Sequence, residues 1–191
     1  MPSRWEYSEP GQDGNVAALR LISCAMVLIN MMKTHEKYMK EAINEAFKAF
    51  KKDEVPVGAV IVLNGKIIAR GHNTREKTKD PTGHAEINAL KKATKKLNSW
   101  RLENAILYVT IEPCAMCAGA ISQARIKKIV YGAKDKKGGA IESNIELYKK
   151  TGLNHYPEVE SGVLAKECGE IISHYFRQKR DKAKSNITKK M

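Results

Sequence analysis

Two short polar clusters have to meet if this chain is to have a single reactive site, and that requirement constrains its fold more than any other feature. The first is His84-Ala85-Glu86. The second, after an interval the length of a strand, is Pro113-Cys114-Ala115-Met116-Cys117. Both stand where apolar periodic segments begin. On a helix starting near His84, Glu86 falls in line with Leu90, Ala93 and Leu97, with Ala89 alongside, so its carboxylate belongs to the inward face. His84 and Glu86 are about 200° apart on a regular helix, so they share a site only off its N-terminal end. Cys114 and Cys117, at i and i+3, share a face of a second helix whose start Pro113 opens. Two helix N-termini must therefore converge.

The chemistry of that convergence is specific. One imidazole and two thiolates are three soft or borderline ligands, and a catalytic zinc site uses three protein ligands where a structural site closes with four. Helix dipoles and the metal ease the thiols toward the ionised form. Glu86 is then free to move protons. A Cys-x-x-Cys pair in isolation reads equally well as a redox pair. Glu86 has the further reading of a partly buried structural acid, and His84 that of a helix-start histidine bonded to backbone. Taken together, His-x-Glu and Pro-Cys-x-x-Cys match the signature of the zinc nucleobase deaminases.

Longer stretches narrow the resemblance. Glu54-Val55-Pro56-Val57-Gly58-Ala59-Val60, Asp80-Pro81-Thr82-Gly83-His84-Ala85-Glu86, Leu107 through Ala120, and Tyr175-Phe176-Arg177 resemble the bacterial tRNA-specific adenosine deaminases, which convert the anticodon wobble adenosine to inosine. The likeness runs from about Thr34 to Arg180. It implies one zinc per chain on His84, Cys114 and Cys117, and Glu86 as the proton shuttle. It also implies that Asn73 contacts the flipped base, that Val55 and Pro56 wall the pocket, and that Asp135 lies beside the substrate backbone. A five-stranded mixed sheet in a three-layer α/β/α sandwich, a homodimer and a cytoplasmic location are implied as well. Gly83, His72 and Tyr175 depart from the residues common in the family, which bears on the shape of the RNA pocket more than on the zinc chemistry.

The charge balance agrees with a polyanionic partner. Net charge is +13, and residues 177–191 hold seven basic side chains against Asp181 alone. Arg177, Lys179 and Arg180, directly after Tyr175 and Phe176, are expected to contact RNA together with those aromatics, whereas the last ten residues read equally well as a solvated helix end. Cys24 and Cys168 lie in unrelated segments, so no disulfide framework is expected and a reducing compartment is. Cys168 reads as a small core residue.

Residues 1–33 fit poorly with the remainder of the chain. Val16 to Met32 is nearly apolar, but Arg20 interrupts it and it is short for a membrane span. Glu6, Glu9 and Asp13 carry the wrong charge for a targeting peptide. The expectation is an extension without a role in the enzyme, non-functional or disordered, with Met31 or Met32 as an alternative start and a membrane- or partner-binding helix as the other reading. Residues 34–180 are expected to form the deaminase domain and 181–191 a basic tail.

Within the domain, Thr34 is expected to cap a helix to about Lys52. Val57 to Leu63 and Lys66 to Arg70 read as a hairpin through Asn64-Gly65. A polar loop from Gly71 to Gly83 precedes the His84 helix, which runs to about Leu97. The strand Ile106 to Ile111, the Cys helix to about Ala124 and the strand Lys128 to Tyr131 come next. A basic loop from Lys134 to Ala140, a short helix Glu146 to Thr151, an extended segment Glu158 to Val163 and a final helix Ala165 to Arg180 complete the order, which suggests a mixed sheet covered on both faces.

Three other functions compete. A free-base or nucleoside deaminase (cytidine, cytosine or guanine) would use the same centre but has no need of basic charge around Lys134 and in the terminal helix. A non-catalytic, zinc-stabilised RNA-binding module has no need of an inward Glu86. A thiol redox protein would make His84-x-Glu86 a coincidence.

Overall fold

Strand alternation builds two buried faces. In β1 (Gly58–Leu63), Ala59 and Ile61 enter one hydrophobic core, while Val60 and Val62 enter another on the opposite side. β2 (Lys66–His72) turns back on β1 through Asn64 and Gly65, both at positive φ (50° and 71°), the conformation a tight two-residue hairpin requires. β3 (Ile106–Ile111) lies antiparallel on the other side of β1, and β4 (Lys128–Ala133) and β5 (Glu158–Ser161) continue in parallel. The sheet order is β2-β1-β3-β4-β5. These observations come from a computed structural model, which describes residues 13–150 and 152–188, with side chains at 26, 29–150 and 152–185.

Helices cover both faces. α3 (Ala85–Leu97) and α4 (Ala115–Gln123) bury Ala89, Leu90, Ala93, Ala118 and Ile121 against Ile61, Leu107, Val109, Ile129 and Tyr131. On the other face, Tyr38, Met39 and Ala42 of α1 (Asp13–Phe50) and Cys168 of α5 (Ala165–Thr188) pack on Val60, Val62, Tyr108 and Val130. The three-layer arrangement with a mixed five-stranded sheet is the expected one. α1 approaches so closely that a Cβ on Gly58 would come to 2.9 Å from the Glu45 carbonyl carbon and nearer still to Ala42 O and Ala46 N. Alanines at 42, 46 and 49, all fully buried, permit that approach.

Several boundaries differ from expectation. α1 begins at Asp13, and Thr34 is not its cap: the Thr34 hydroxyl donates to Asn30 O at 2.8 Å, one turn back inside the helix. β2 runs on through Gly71 and His72, and the loop after it holds a short helix, α2 (Arg75–Thr78). Leu97 closes α3 but is 38% exposed, because Asn98 at φ 49° turns the chain away just after it. The helix expected at Glu146 to Thr151 is a 3-10 turn, Leu147–Lys149, and α5 continues past Arg180 to Thr188, through most of the expected tail.

The chain divides into two compact units, Met1–Thr34 and His35–Met191. In the first, Met26, Ile29, Met31 and Met32 are exposed. The reading of Glu6 and Glu9, the side chain of Cys24 and the tail end at 189–191 lie outside the described residues. Among the described residues, no helix is long and apolar enough to cross a membrane.

Candidate active site

His84 is the N-cap of α3 and Cys114 the N-cap of α4, both in extended conformation (ψ 155° and 172°). The two helix starts converge. His84 Nδ1 lies 3.6 Å from Cys114 Sγ and 3.6 Å from Cys117 Sγ, and the three donor atoms all lie within 4.8 Å of one another. A tetrahedral zinc ion bonded to nitrogen at about 2.05 Å and sulfur at about 2.3 Å needs N···S edges of about 3.6 Å. Both edges are present, so the donor set fits this metal in chemistry and in spacing.

The electrostatics divide the donor set, with only Cys114 drawn toward the ionised form. Hydrogen bonding from Cys117, helped by the adjacent His84, draws the Cys114 thiol down to about 4, while the same thiol pair and burial push Cys117 up. Bonding to Cys114 raises His84. Glu86 sits in the first turn of α3, 3% exposed, and burial raises its carboxyl, with the Cys114 charge adding to the effect. An acid so placed holds a proton more readily than one in water.

These groups open onto a cavity of about 420 Å³, within the range of about 300–1,000 Å³ usual for small-ligand sites. His84, Glu86 and Cys114 line it together with Val55, Asn73, Asp135 and Phe176. Four of the substrate-contact candidates are thereby gathered around the donor set. Others are not. Pro56 is buried and outside the lining, and it is Val57 that reaches the cavity. The Tyr175 hydroxyl donates to Asp53 O at 2.9 Å, and Lys179 Nζ pairs with Asp53 Oδ2 at 2.6 Å. Arg177 and Arg180 are exposed and line no part of the cavity.

Sequence reasoning missed Arg75, Glu76, Ile111, Glu112 and Ile172, all in the lining. For Glu112 a signal was available, its place directly before the Pro113-Cys114 motif. His72 also finds a role: its Nδ1 lies 3.0 Å from Glu45 Oε2 and its Nε2 2.9 Å from Lys52 Nζ.

Residues 33–180 match the MafB19-like deaminase family. The chain is 52% identical to the tRNA-specific adenosine deaminase of Bacillus subtilis (strain 168), over 81% of this chain and 96% of that protein. It is 47% identical to the enzyme of the same name from Agrobacterium fabrum, over 78% and 96%. This chain belongs to the tRNA-specific adenosine deaminase family. A solved structure from a study of A-to-I editing by tRNA:A34 deaminases superposes with a TM-score of 0.69 at 47% identity, covering 71% of this chain and 98% of that one. Guanine deaminase from Bacillus subtilis superposes less well, with a TM-score of 0.53 at 39% identity over 61% and 75%. The mixed sheet and flanking helices described above are thus the cytidine deaminase-like fold of this tRNA deaminase family.

Proposed function

We propose that the chain hydrolyses adenosine to inosine at the wobble position of a tRNA anticodon, releasing ammonia, with Glu86 as the proton-transfer residue and His84, Cys114 and Cys117 as ligands of one zinc ion. The observation that carries this reading is the buried Glu86 carboxyl beside a three-donor cluster whose spacing suits the metal. Bound there, zinc would supply the Lewis acidity that makes water nucleophilic near neutral pH. Glu86, its proton affinity raised by burial, is suited to take the proton that the attacking water gives up. It then returns protons to the ring nitrogen and to the departing amine. The target base has to leave its stack to enter the cavity, which an anticodon loop allows at lower cost than a duplex.

Exposed cations flank the motif in sequence: Arg75, Lys77 and Lys79 before it, Lys134, Lys136 and Lys137 after it, with Arg177 and Arg180 on α5, and of these Arg75 lines the cavity. They are suited to phosphates, with Asn73, Val55 and Asp135 nearer the base. We infer a homodimer from a second surface. Ile87 and Leu90 of α3, Ala120 and Ala124 at α4 and the 57%-exposed Trp100 line a shallow apolar groove of about 300 Å³, suited to cover by a second copy. A tRNA substrate also makes the cytoplasm the expected compartment.

The test is to incubate zinc-loaded protein with an anticodon stem-loop carrying wobble adenosine and to quantify inosine. The same loop with cytidine, free adenosine, free cytidine and free guanine should react far more slowly. Comparable turnover of free guanine or cytidine would reject the tRNA reading while leaving the ligand assignment intact.

A further inference from the structure

Two buried carboxylates have no part in the ligand set or the proton transfer. Glu54 is 1% exposed and Glu112 2%. Among the described residues, neither meets a cation at salt-bridge distance, and their oxygens are met by hydrogen-bond donors instead. Glu54 Oε1 accepts from the Lys77 amide at 2.6 Å and Oε2 from the Glu76 amide at 3.0 Å, with Asn73 Nδ2 3.4 Å away. Glu112 Oε1 accepts from the amides of Ile141, Glu142 and Ser143 at 3.1, 2.7 and 2.9 Å. Its Oε2 accepts from the Asp135 amide at 3.1 Å and from the Ser143 hydroxyl.

Some of the donors belong to two separate segments of the cavity wall. Asn73 and Glu76 line it from the segment after β2, and Asp135 lines it from the segment after β4. Each carboxylate ties such a segment to the approach or exit of a sheet strand: Glu54 lies four residues before β1, and Glu112 directly follows β3. The second segment has wrapped tightly to make the contact, because a Cβ on Gly139 would come within 2.5 Å of Glu112 Oε2. Glu54 Oε2 accepts from Asn73 Nδ2, so Glu54 also fixes which end of the Asn73 amide faces it. One N–H of Nδ2 is taken up, which leaves the second N–H and Oδ1 for a substrate.

We propose that Glu54 and Glu112 are paired positioning residues that hold the two wall segments of the cavity at the spacing a nucleotide needs, and so set substrate affinity. This rests on the cavity being the substrate site. A glutamine at either position has one acceptor oxygen where the glutamate has two. In Glu112→Gln, the oxygen serves the three clustered amides, and the NH₂ group then opposes the Asp135 N–H. In Glu54→Gln, either the Lys77 amide or the pair Glu76 and Asn73 loses its acceptor.

The experiment measures zinc content, residue-resolved amide hydrogen exchange, and kcat and KM on the anticodon stem-loop, using the full zinc-loaded chain. Glu112→Gln should keep wild-type zinc and speed exchange at Asp135 by about tenfold, with Ile141 to Ser143 still protected. KM should rise by about tenfold, with kcat within about threefold. Glu54→Gln should speed exchange at Glu76 or Lys77 and leave Asp135 unchanged. Ser143→Ala removes one donor while sparing both carboxylates, and should give a smaller rise confined to Ile141 to Ser143. It decides the matter for Glu112 if the glutamine variant does not fold. Loss of zinc, an even rise in exchange across the chain, or unchanged exchange and KM would each overturn the proposal. If the wild type fails to deaminate the stem-loop, the assignment of function falls, yet the exchange pattern still decides whether the walls are held in this way.

Discussion

Tyr175 on α5 donates its hydroxyl to the main-chain carbonyl of Asp53, 122 positions earlier, and buries all but 6% of its surface in doing so. Lys179, one turn on, pairs with the Asp53 carboxylate and lies 5.4 Å from the Tyr175 ring centroid. Two of the five terminal side chains expected to contact RNA are therefore engaged with the turn after α1, whereas Phe176 reaches the cavity and Arg177 and Arg180 face solvent.

That division predicts two phenotypes. Tyr175→Phe should cost about 1 kcal/mol of stability, read as a lower denaturation midpoint at unchanged m-value. Arg177 and Arg180 changed together to neutral residues should leave the midpoint in place and weaken RNA binding. The slope of log affinity against log salt should become shallower by about 0.7–0.9 for each phosphate no longer neutralised. An unchanged slope would return both arginines to the role of solvated helix surface.

Metal and turnover should separate at the two helix starts. Glu86→Ala is expected to retain about one zinc per chain and to lose about 10²–10⁴ in kcat, because the carboxylate carries protons and binds no metal. Cys117→Ala, fully buried in the wild type, should lose zinc and stability together. An empty site in Glu86→Ala, measured by metal analysis, would make Glu86 a ligand and reject the mechanism.

Acid should weaken the fold through His35. Its Nδ1 sits 2.9 Å from the Tyr108 hydroxyl and its Nε2 3.5 Å from Glu160, and burial lowers its pKa below 6.5, with Glu160 partly opposing. Between the folded value and 6.5 the unfolded chain holds the extra proton. The stabilisation is therefore fully present above about 6.5 and is lost as pH falls through that window. Thermal melts at pH 7.5 and 5.5 should show a smaller acid loss in His35→Gln than in the wild type. Equal losses would place the acid sensitivity elsewhere.

A chain beginning at Met32 should fold, bind zinc and deaminate as the full chain does. The residues that build both cores and the cavity all come after His35. A large loss of activity at equal zinc content would give the Val16 to Met32 segment a function.

Legibility in the sequence tracked the range of the interactions. The hairpin was readable because Asn64-Gly65 specifies its own turn, and the donor cluster because ligand type and spacing are local patterns. The start of α1 was misread because Thr34 precedes an amphipathic run, as a cap would, and nothing nearby shows that its hydroxyl turns back to Asn30. The cavity walls were hidden for a different reason. Glu54 and Glu112 bond to main-chain amides, which every residue except proline carries, so their partners leave no trace in side-chain identity. Tyr175 and Lys179 looked like RNA contacts because their partner, Asp53, is distant in the chain.

Gly71 of β2 lies against the first turn of α3. A Cβ there would collide with the Ala85 carbonyl and stand 2.6 Å from the Ala89 nitrogen. Main chain meets main chain at this point, with no rotamer in between to absorb an error. The depth of Glu86, the next residue after Ala85, is thus set from the far side of its helix by an atom that is missing. A methyl group added at Gly71 would press on Ala85, which lines the cavity and stands between His84 and Glu86, so the expected product is an enzyme that loses metal binding and proton transfer together.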